Sequence, residues 1–450
     1  MRKTFLSIMA VAATVAMLHA EGYQLNLNSA KQGGMGNTGV ALRLGSEGMI
    51  YNPASLSFIK GKVDLAAGVT GVRSYVNFTN GSYEAKTNNP LGTPLYLYAG
   101  LKITKNLAAG VSVNNPAGNS ITWADNWRGN EIVQKSSLQA FSVQPSLSFK
   151  FLDDKLSIGA GAMIMFGNFS TSKALVGYSK LLQMSAAAGM LAPPLKPIFD
   201  QNMDAVPYSA TLSGKAKTGV GFNVGVLFSP IPQLSIGLSY RSKVDLKVDD
   251  GKTEITPSNN TALMNAVNTI MGAGGQSIPP LDKYTFAASM PIPSNINVGA
   301  AYHFGENGVI TAELQFVGWG AFEQLELNYE AIKYKAVVPK NFSNTIIYRL
   351  GGQFTVLPSF DVRLGVYYDT TPVDKDKYYS PETPGSNKLA LTCGWSWRPV
   401  KAFSVDFAFV YSHGGKIEGK YTGEPYDKAP FTGEYKVHAF LPSLGLSYRF

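Results

Sequence analysis

The chain has 450 residues, of which only 15% are charged while 12% are aromatic, and glycine accounts for 46. That is too little charge to cover an ordinary soluble domain of this size and suits an outer surface that meets lipid. The formal charge of +9 is not gathered into Lys/Arg runs, which argues against a nucleic-acid partner and favours anionic lipid or anionic solutes, and the single cysteine, Cys393, excludes an internal disulfide.

Residues 1–20 read as a secretory signal. Arg2 and Lys3 precede an apolar run from Phe5 to Leu18, and Ala20 is a small residue at a cleavage position. The run is short for a membrane span, and nothing after it approaches about 18 consecutive apolar residues. Residues 21–61 are rich in glycine and lack alternation. Gly34, Gly36 and Gly39 have the spacing of a dinucleotide loop, but no buried strand precedes them, so they read as sites of close backbone packing. A polar piece of this length ahead of a large barrel suits a plug inside its lumen.

Over the later two-thirds of the chain, apolar residues alternate with small or polar ones. Phe403, Val405, Phe407 and Phe409 alternate with Ser404, Asp406 and Ala408, and Leu389, Leu391, Cys393 and Trp395 with Thr392 and Gly394. A soluble sandwich would make both inner faces bulky; here one face stays small and polar throughout. Short turns at 104–106, 152–155, 229–233, 305–308, 357–359 and 398–402 interleave with long segments at 79–93, 114–135, 171–209, 249–291, 318–343, 371–386 and 413–434. Thirteen connections give fourteen strands: an all-β, antiparallel transmembrane barrel that must close on itself because lipid cannot satisfy a strand edge.

Little in the chain suggests reaction chemistry. His19, His303, His413 and His438 have no ligand spacing, so no metal, cofactor or enzymatic role is expected, and serines on the inner face read as lumen filler. Features suited to a hydrophobic ligand are clearer. The segment 171–209 carries Leu182, Met184, Met190 and Phe199, and the segment 249–291 carries Met264 and Met271 at near-helical spacing with Leu263, Val267 and Ile270. Such loops either pack on one another as a cap or hold an acyl chain between them, and methionine adapts to varied apolar partners. Met163, Met165 and Leu227 face the lumen by alternation. Burying a CH₂ is worth roughly 0.8 kcal/mol, so a chain of about fifteen carbons gains on the order of 10 kcal/mol before entropy losses, and capture needs no energy source. Arg241 and Lys243 on the seventh strand, Arg349 on the tenth and Arg363 on the eleventh are placed inward by alternation. They could hold an anionic head group or fill the lumen as ion pairs, since Arg363 shares a face with Asp361.

Five segments carry a resemblance: GYQLN at 22–26, YNPASL at 51–56, NNPAGNSITWADNWRG at 114–129, FVGWGAFEQLEL at 316–327, and RLGVYYDTTPV with SPETPGSNKLAL between 363 and 391. In this order they resemble the FadL family of outer-membrane transporters for long-chain fatty acids and hydrophobic compounds. The resemblance implies a hatch over 21–61, a barrel over 62–450, and passive uptake with sideways release into the bilayer. It assigns Asn52, Pro53 and Ala54 to the hatch motif. It implies a kinked third strand, with Gly110 the candidate bend and Asn52 suited to pair with backbone groups freed there. Lys173 matches a cation for the ligand's head group. The partners it implies are a hydrophobic ligand and outer-membrane lipid or lipopolysaccharide, with the barrel a monomer. From the residues alone, a small-solute porin or a surface-exposed structural or adhesin barrel stays open.

Overall fold

The computed structural model describes residues 20–124, 127–177, 179–181, 197, 206–273, 280–305, 307–376, 379–423, 426 and 429–450. Fourteen antiparallel strands close into one barrel. They are β1 (Val63–Thr70 and Arg73–Asn80), β2 (Tyr83–Lys86 and Leu95–Lys102), β3 (Leu107–Asn114 and Gly118–Thr122), β4 (Lys135–Phe151), β5 (Leu156–Val176), β6 (Tyr208–Ile231) and β7 (Leu234–Arg241 and Val244–Pro257). The second half comprises β8 (Thr285–Ile292 and Asn295–His303), β9 (Gly308–Val317 and Gln324–Tyr329), β10 (Tyr334–Pro339 and Thr345–Leu357), β11 (Phe360–Asp369), β12 (Lys388–Val400), β13 (Phe403–Gly414 and Ile417–Tyr421) and β14 (Phe431–Arg449).

The alternation sets the two faces. On β6, Val220, Phe222, Val224 and Phe228 are exposed, whereas Asn223, Leu227 and Ser229 are buried. On β14, Leu444, Leu446 and Tyr448 look outward and Ser443 and Ser447 inward. Closure pairs β14 with β1 from Asp64↔Arg449 to Thr70↔Ser443, and the Lys62 and Val63 N–H groups both donate to the terminal Phe450 carbonyl (2.6 and 2.8 Å).

The short turns fall where the sequence puts them. The long connections hold more regular structure than expected, because several strands run on beyond the apolar band. β7 extends to Pro257, and β9 and β10 meet in a hairpin, Gln324↔Pro339 to Tyr329↔Tyr334. A helix, Thr261–Ala273, follows β7. Its Leu263, Val267, Ile270 and Met271 are buried, a stripe at helical spacing, and the Leu263 N–H donates to Asn260 Oδ1 at 3.1 Å as a cap.

The interior differs along its length. Toward the long-loop end it holds an apolar cluster of Met163, Met165, Leu246, Phe286, Trp319 and the helix stripe. Toward the short-turn end the residues ahead of β1 pack against the inner wall. This leading segment contains a four-residue helix, Ala30–Gly33, and 3-10 turns at Gly45–Gly48 and Pro53–Phe58. Its backbone touches the wall where the wall has no side chain. Gly351 and Gly365 face each other across β10 and β11, and a Cβ on either would overlap the backbone at Met35 and Gly36. Gly36 itself has φ 68°, a conformation glycine adopts without strain.

Candidate functional site

Regular pairing of the wall fails on β3. Its lower half pairs with β2 on one side and β4 on the other, up to Asn114↔Tyr96 and Asn114↔Ser142. Pairing with β4 resumes at Gly118↔Gln139. Four steps on β3 thus match three on β4, a one-residue bulge. Pro116 in the gap has no N–H to donate. Between Gly118 and Thr122 the strand pairs only with β4; toward β2 the contact returns at Asn88 N–H to Thr122 O (2.7 Å) and at the bridge Thr87↔Trp123.

Asn115 spans the interruption. Its Oδ1 accepts the Leu95 N–H of β2 at 3.0 Å and its Nδ2 donates to the Ala140 carbonyl of β4 at 3.0 Å, replacing two ladder bonds. The opening is left between residues 90–94 and 115–121. It leads into a cavity of about 550 Å³. Leu91, Leu95 and Phe141 line its outer mouth, and Arg349, Asp369 and Lys388 its inner end. The start of the leading segment crosses it: the Leu25 N–H donates to the Pro116 carbonyl at 3.0 Å, and Gln24 forms an isolated bridge with Ala117.

The rest of the leading segment is fastened by buried polar groups. Glu313 of β9 accepts the Gly39 and Val40 N–H groups through Oε2 (2.8 and 3.0 Å), and its Oε1 lies 3.2 Å from Arg349 Nη1. Lys31 Nζ sits 2.6 Å from Glu47 and 3.5 Å from Asp406 of β13. The Asn52 amide donates to the carbonyls of Val40 (2.8 Å) and Val226 (2.9 Å), and its Oδ1 accepts the Ala54 N–H at 3.1 Å. Pro53 then opens the Pro53–Phe58 turn, where a missing N–H costs nothing.

A second charged group lies in the long-loop connections. Glu382 is fully buried, 3.8 Å from buried Lys340 and also facing Lys173 of β5. Burial pushes its carboxyl up to about 8 against the pull of both lysines, and burial lowers the Lys340 ammonium. Nearby, Trp123 and Trp127 stack at 3.9 Å, and Trp123 Nε1 donates to the Pro381 carbonyl at 3.1 Å.

Most of the expected strand residues face inward as alternation placed them, and Lys243 does not. Met163, Met165 and Met271 point into the apolar cluster, while Met264 is half-buried on the helix. Leu182, Met184, Met190 and Phe199 lie outside the described residues. Arg241 is inward but donates to the Ile50 carbonyl, so it fastens the leading segment. Arg363 is also inward, 3.8 Å from Asp361 and 4.0 Å from Asp406, with Nε donating to Gln353. Lys243 is exposed and pairs with Asp245 at 3.0 Å; β7 breaks at residues 242–243, which shifts the phase and turns Lys243 out of the lumen. Gly110 is not a bend. It pairs with Gly100 on one side and Ser146 on the other, and its missing side chain leaves room for Met49 Sδ, 2.7 Å from where a Cβ would be. Asn52 serves β6 rather than the interrupted third strand; the groups freed there are met by Asn115. Sequence reasoning missed Asn115, Pro116, Ala117, Leu25, Lys340 and Glu382. For the first three a signal existed: Asn-Pro-Ala occurs twice, at 52–54 and at 115–117. Among the described residues no group of three His, Cys, Asp or Glu could hold a metal ion.

The chain has relatives along its whole length. Residues 9–450 match the model of a family described as outer membrane protein transport protein (OMPP1/FadL/TodX). The long-chain fatty acid transport protein of Escherichia coli O6:H1 is 23% identical over 463 residues, covering 100% of both chains. Outer membrane protein P1 of Haemophilus influenzae is 20% identical over 415 residues, 90% of this chain and 85% of that one. Among solved structures, a Pseudomonas aeruginosa FadL homologue superposes with a TM-score of 0.77 at 19% identity, covering 95% of this chain and 100% of that one. The Pseudomonas putida toluene transporter TodX gives 0.68 at 16% identity, covering 93% and 97%.

Proposed function

The chain belongs to the outer membrane protein transport family (OMPP1/FadL/TodX) and is an outer-membrane β-barrel; on that premise we propose that it takes up long-chain fatty acids or similar hydrophobic compounds passively and releases them sideways into the membrane. The observation that carries this reading is the opening at residues 115–121, backed by a cavity that runs from charged lumen residues to lipid-facing leucines. A hydrophobic ligand released into water would lose its driving force, whereas one that leaves between Leu91, Leu95 and Phe141 passes from one apolar environment to another. Residues 21–61 act as the hatch and 62–450 as the wall. The moving part is the start of the hatch: Gln24 and Leu25 hold the opening by two backbone contacts, while Asn52, Glu313 and Arg241 fix the remainder. Lys173 and Lys340 receive an anionic head group above the cavity, and the apolar cluster around Met163 and Met165 accepts the chain. A porin for small polar solutes would need polar groups at that level, and the cluster offers few.

The test fills the opening at the edge where Leu25 crosses it. A Cβ on Gly118 would lie 2.9 Å from Leu25 Cδ1, so Gly118→Phe fills the mouth. Oleate uptake by cells carrying this variant should fall at least about tenfold, with the barrel still resistant to detergent at room temperature. Undiminished uptake would remove sideways release from the mechanism.

A further inference from the structure

The outer wall changes character just above its apolar band. On β14 the outward residues Tyr448, Leu446, Leu444 and Phe440 are exposed. The ring of Phe440 lies 5.2 Å from that of Tyr411 on β13, an aromatic belt of the kind that marks the membrane–water boundary. The belt is on the long-loop side, and long loops face the exterior, so the residues beyond it meet the head groups of the outer leaflet. Those residues are basic. The register sets His438 between His413 of β13 and Tyr75 of β1, and sets Lys436 beside Asn77, whose other neighbour is Lys86 of β2. Arg73 lies opposite Phe440. With strands about 4.8 Å apart and same-face residues about 6.7 Å apart, these groups share a patch about 15 Å across.

Tyr75 gathers the charge. The Arg73 guanidinium carbon stands 5.3 Å and Lys86 Nζ 4.5 Å from its ring centre, and the His438 ring stacks on it at 5.4 Å. Arg73 Nε donates to Tyr75 Oη at 3.0 Å and Nη1 to the Asn89 carbonyl at 2.8 Å, which fixes the guanidinium and, among the described residues, leaves Nη2 without an acceptor. His438 is within electrostatic reach of Lys86, Lys436 and His413. No carboxylate balances the group: among the described residues Arg73, Lys86 and Lys436 enter no ion pair. Glu418, Glu434 and Glu84 lie one row farther out, level with Thr79, and Lys416 holds Glu434 at 2.9 Å. Like charges crowded without a counter-ion repel one another, and an anion shared among them relieves the repulsion.

We propose that this patch seats a phosphorylated sugar of lipopolysaccharide against the outer wall. The site lies outside the lumen and is separate from the path of the transported ligand. Arg73 presents a planar fork to the phosphate oxygens, while Lys86 and Lys436 act as point charges on either side of Asn77. A phosphomonoester carries about −1.5 to −2 charge near neutral pH, so a phosphorylated glycolipid matches a group of three permanent cations better than the single diester of a phospholipid does. Phe440 and Tyr411, one row below, lie where the acyl chains of such a lipid begin.

The experiment uses the full-length protein in detergent micelles, with bound lipid counted by native mass spectrometry. Bisphosphorylated lipid A should bind about a hundredfold more tightly than its dephosphorylated form. The variant Arg73→Gln/Lys86→Gln/Lys436→Gln should lose about fivefold in affinity for each cation removed, about a hundredfold in all. A charge-matched control, Lys215→Gln/Lys247→Gln/Lys252→Gln on exposed lysines of β6 and β7, should bind as the parent does. Equal losses in the two variants would reduce the attraction to net charge and overturn the site. Phosphatidylglycerol binding as tightly as lipid A, or displacement of lipid A by inorganic phosphate at equal concentration, would overturn the assignment to lipopolysaccharide. Should the first variant fail to fold, acetylation of the parent chain decides the matter. Bound lipid A should protect Lys86 and Lys436 at least about tenfold while Lys247 stays reactive, and labelling unchanged by the lipid refutes the seat.

Discussion

The tripeptide Asn-Pro-Ala serves two opposite ends in one molecule. At 52–54 it is fully buried, and the asparagine side chain meets four backbone groups: the carbonyls of Val40, Val226 and Leu238, and the N–H that starts the next turn. At 115–117 the asparagine is half-buried, and its side chain bonds to β2 on one side and β4 on the other across a gap. In both, proline withdraws a donor and asparagine supplies substitutes, so the chain leaves regular geometry without stranding polar groups. What lies next to it decides the outcome. Beside 52–54 the wall presents Gly159 and Gly225, and the backbone presses in until no space is left. Beside 115–117 the facing strand is absent over residues 90–94, and the same departure becomes an opening.

The largest effect should come from denying the plug its seat. Gly351→Leu places a side chain where the Met35 carbonyl now lies, on a strand whose outer face is unchanged. The barrel should still insert, while single-channel conductance in a planar bilayer should rise by an order of magnitude as the leading segment is expelled. Unaltered conductance would mean that the lumen is closed by the long-loop cluster instead. The two asparagines come next. Asn52→Ala strands the carbonyls its amide meets and should cost about 1–3 kcal/mol, read as faster hydrogen exchange across residues 39–58. Asn115→Ala removes two partly solvated bonds at about 0.5–1.5 kcal/mol each, and the exchange should quicken only near residues 93–95 and 138–141. If Asn115→Ala loosened 39–58 as much as Asn52→Ala does, the two sites would be one coupled unit and the contrast between them would fail.

The barrel was legible because lipid imposes a simple rule on every strand. Alternation, short turns and a closing aromatic residue give fourteen strands with their faces, down to Leu227 looking inward on β6. The site was legible only where a residue's direction follows from that rule. Met163 and Met165 obey it. Lys243 does not, since counting by twos carries across residues 242–243 as though the ladder were unbroken. Gly110 drew notice as a glycine in a strand, yet a glycine on this wall marks contact with the plug. The actual interruption needs Pro116, a bulge and a missing partner strand, and only the third dimension reveals that residues 90–94 leave β3 without a ladder on its β2 side. Glu382 was hidden for a similar reason: it meets Lys340 and Lys173 from a connection whose course no periodicity describes.

The smallest predicted effect tests that last point at two neighbouring cations. Arg241 and Lys243 are two residues apart, as residues sharing one face of a strand would be, yet one reaches the Ile50 carbonyl inside and the other pairs with Asp245 outside. An exposed pair of this kind contributes roughly 0–1 kcal/mol, because water screens both charges and two long side chains must be ordered to make it. Lys243→Gln should therefore leave thermal unfolding and oleate uptake within experimental error of the parent. Arg241→Gln loses a buried donor and should loosen the stretch around Ile50, detectable as faster exchange there even where uptake persists. A several-fold loss of uptake in Lys243→Gln would place that ammonium on the ligand's path and would restore the unbroken alternation of β7 that the interruption at 242–243 denies.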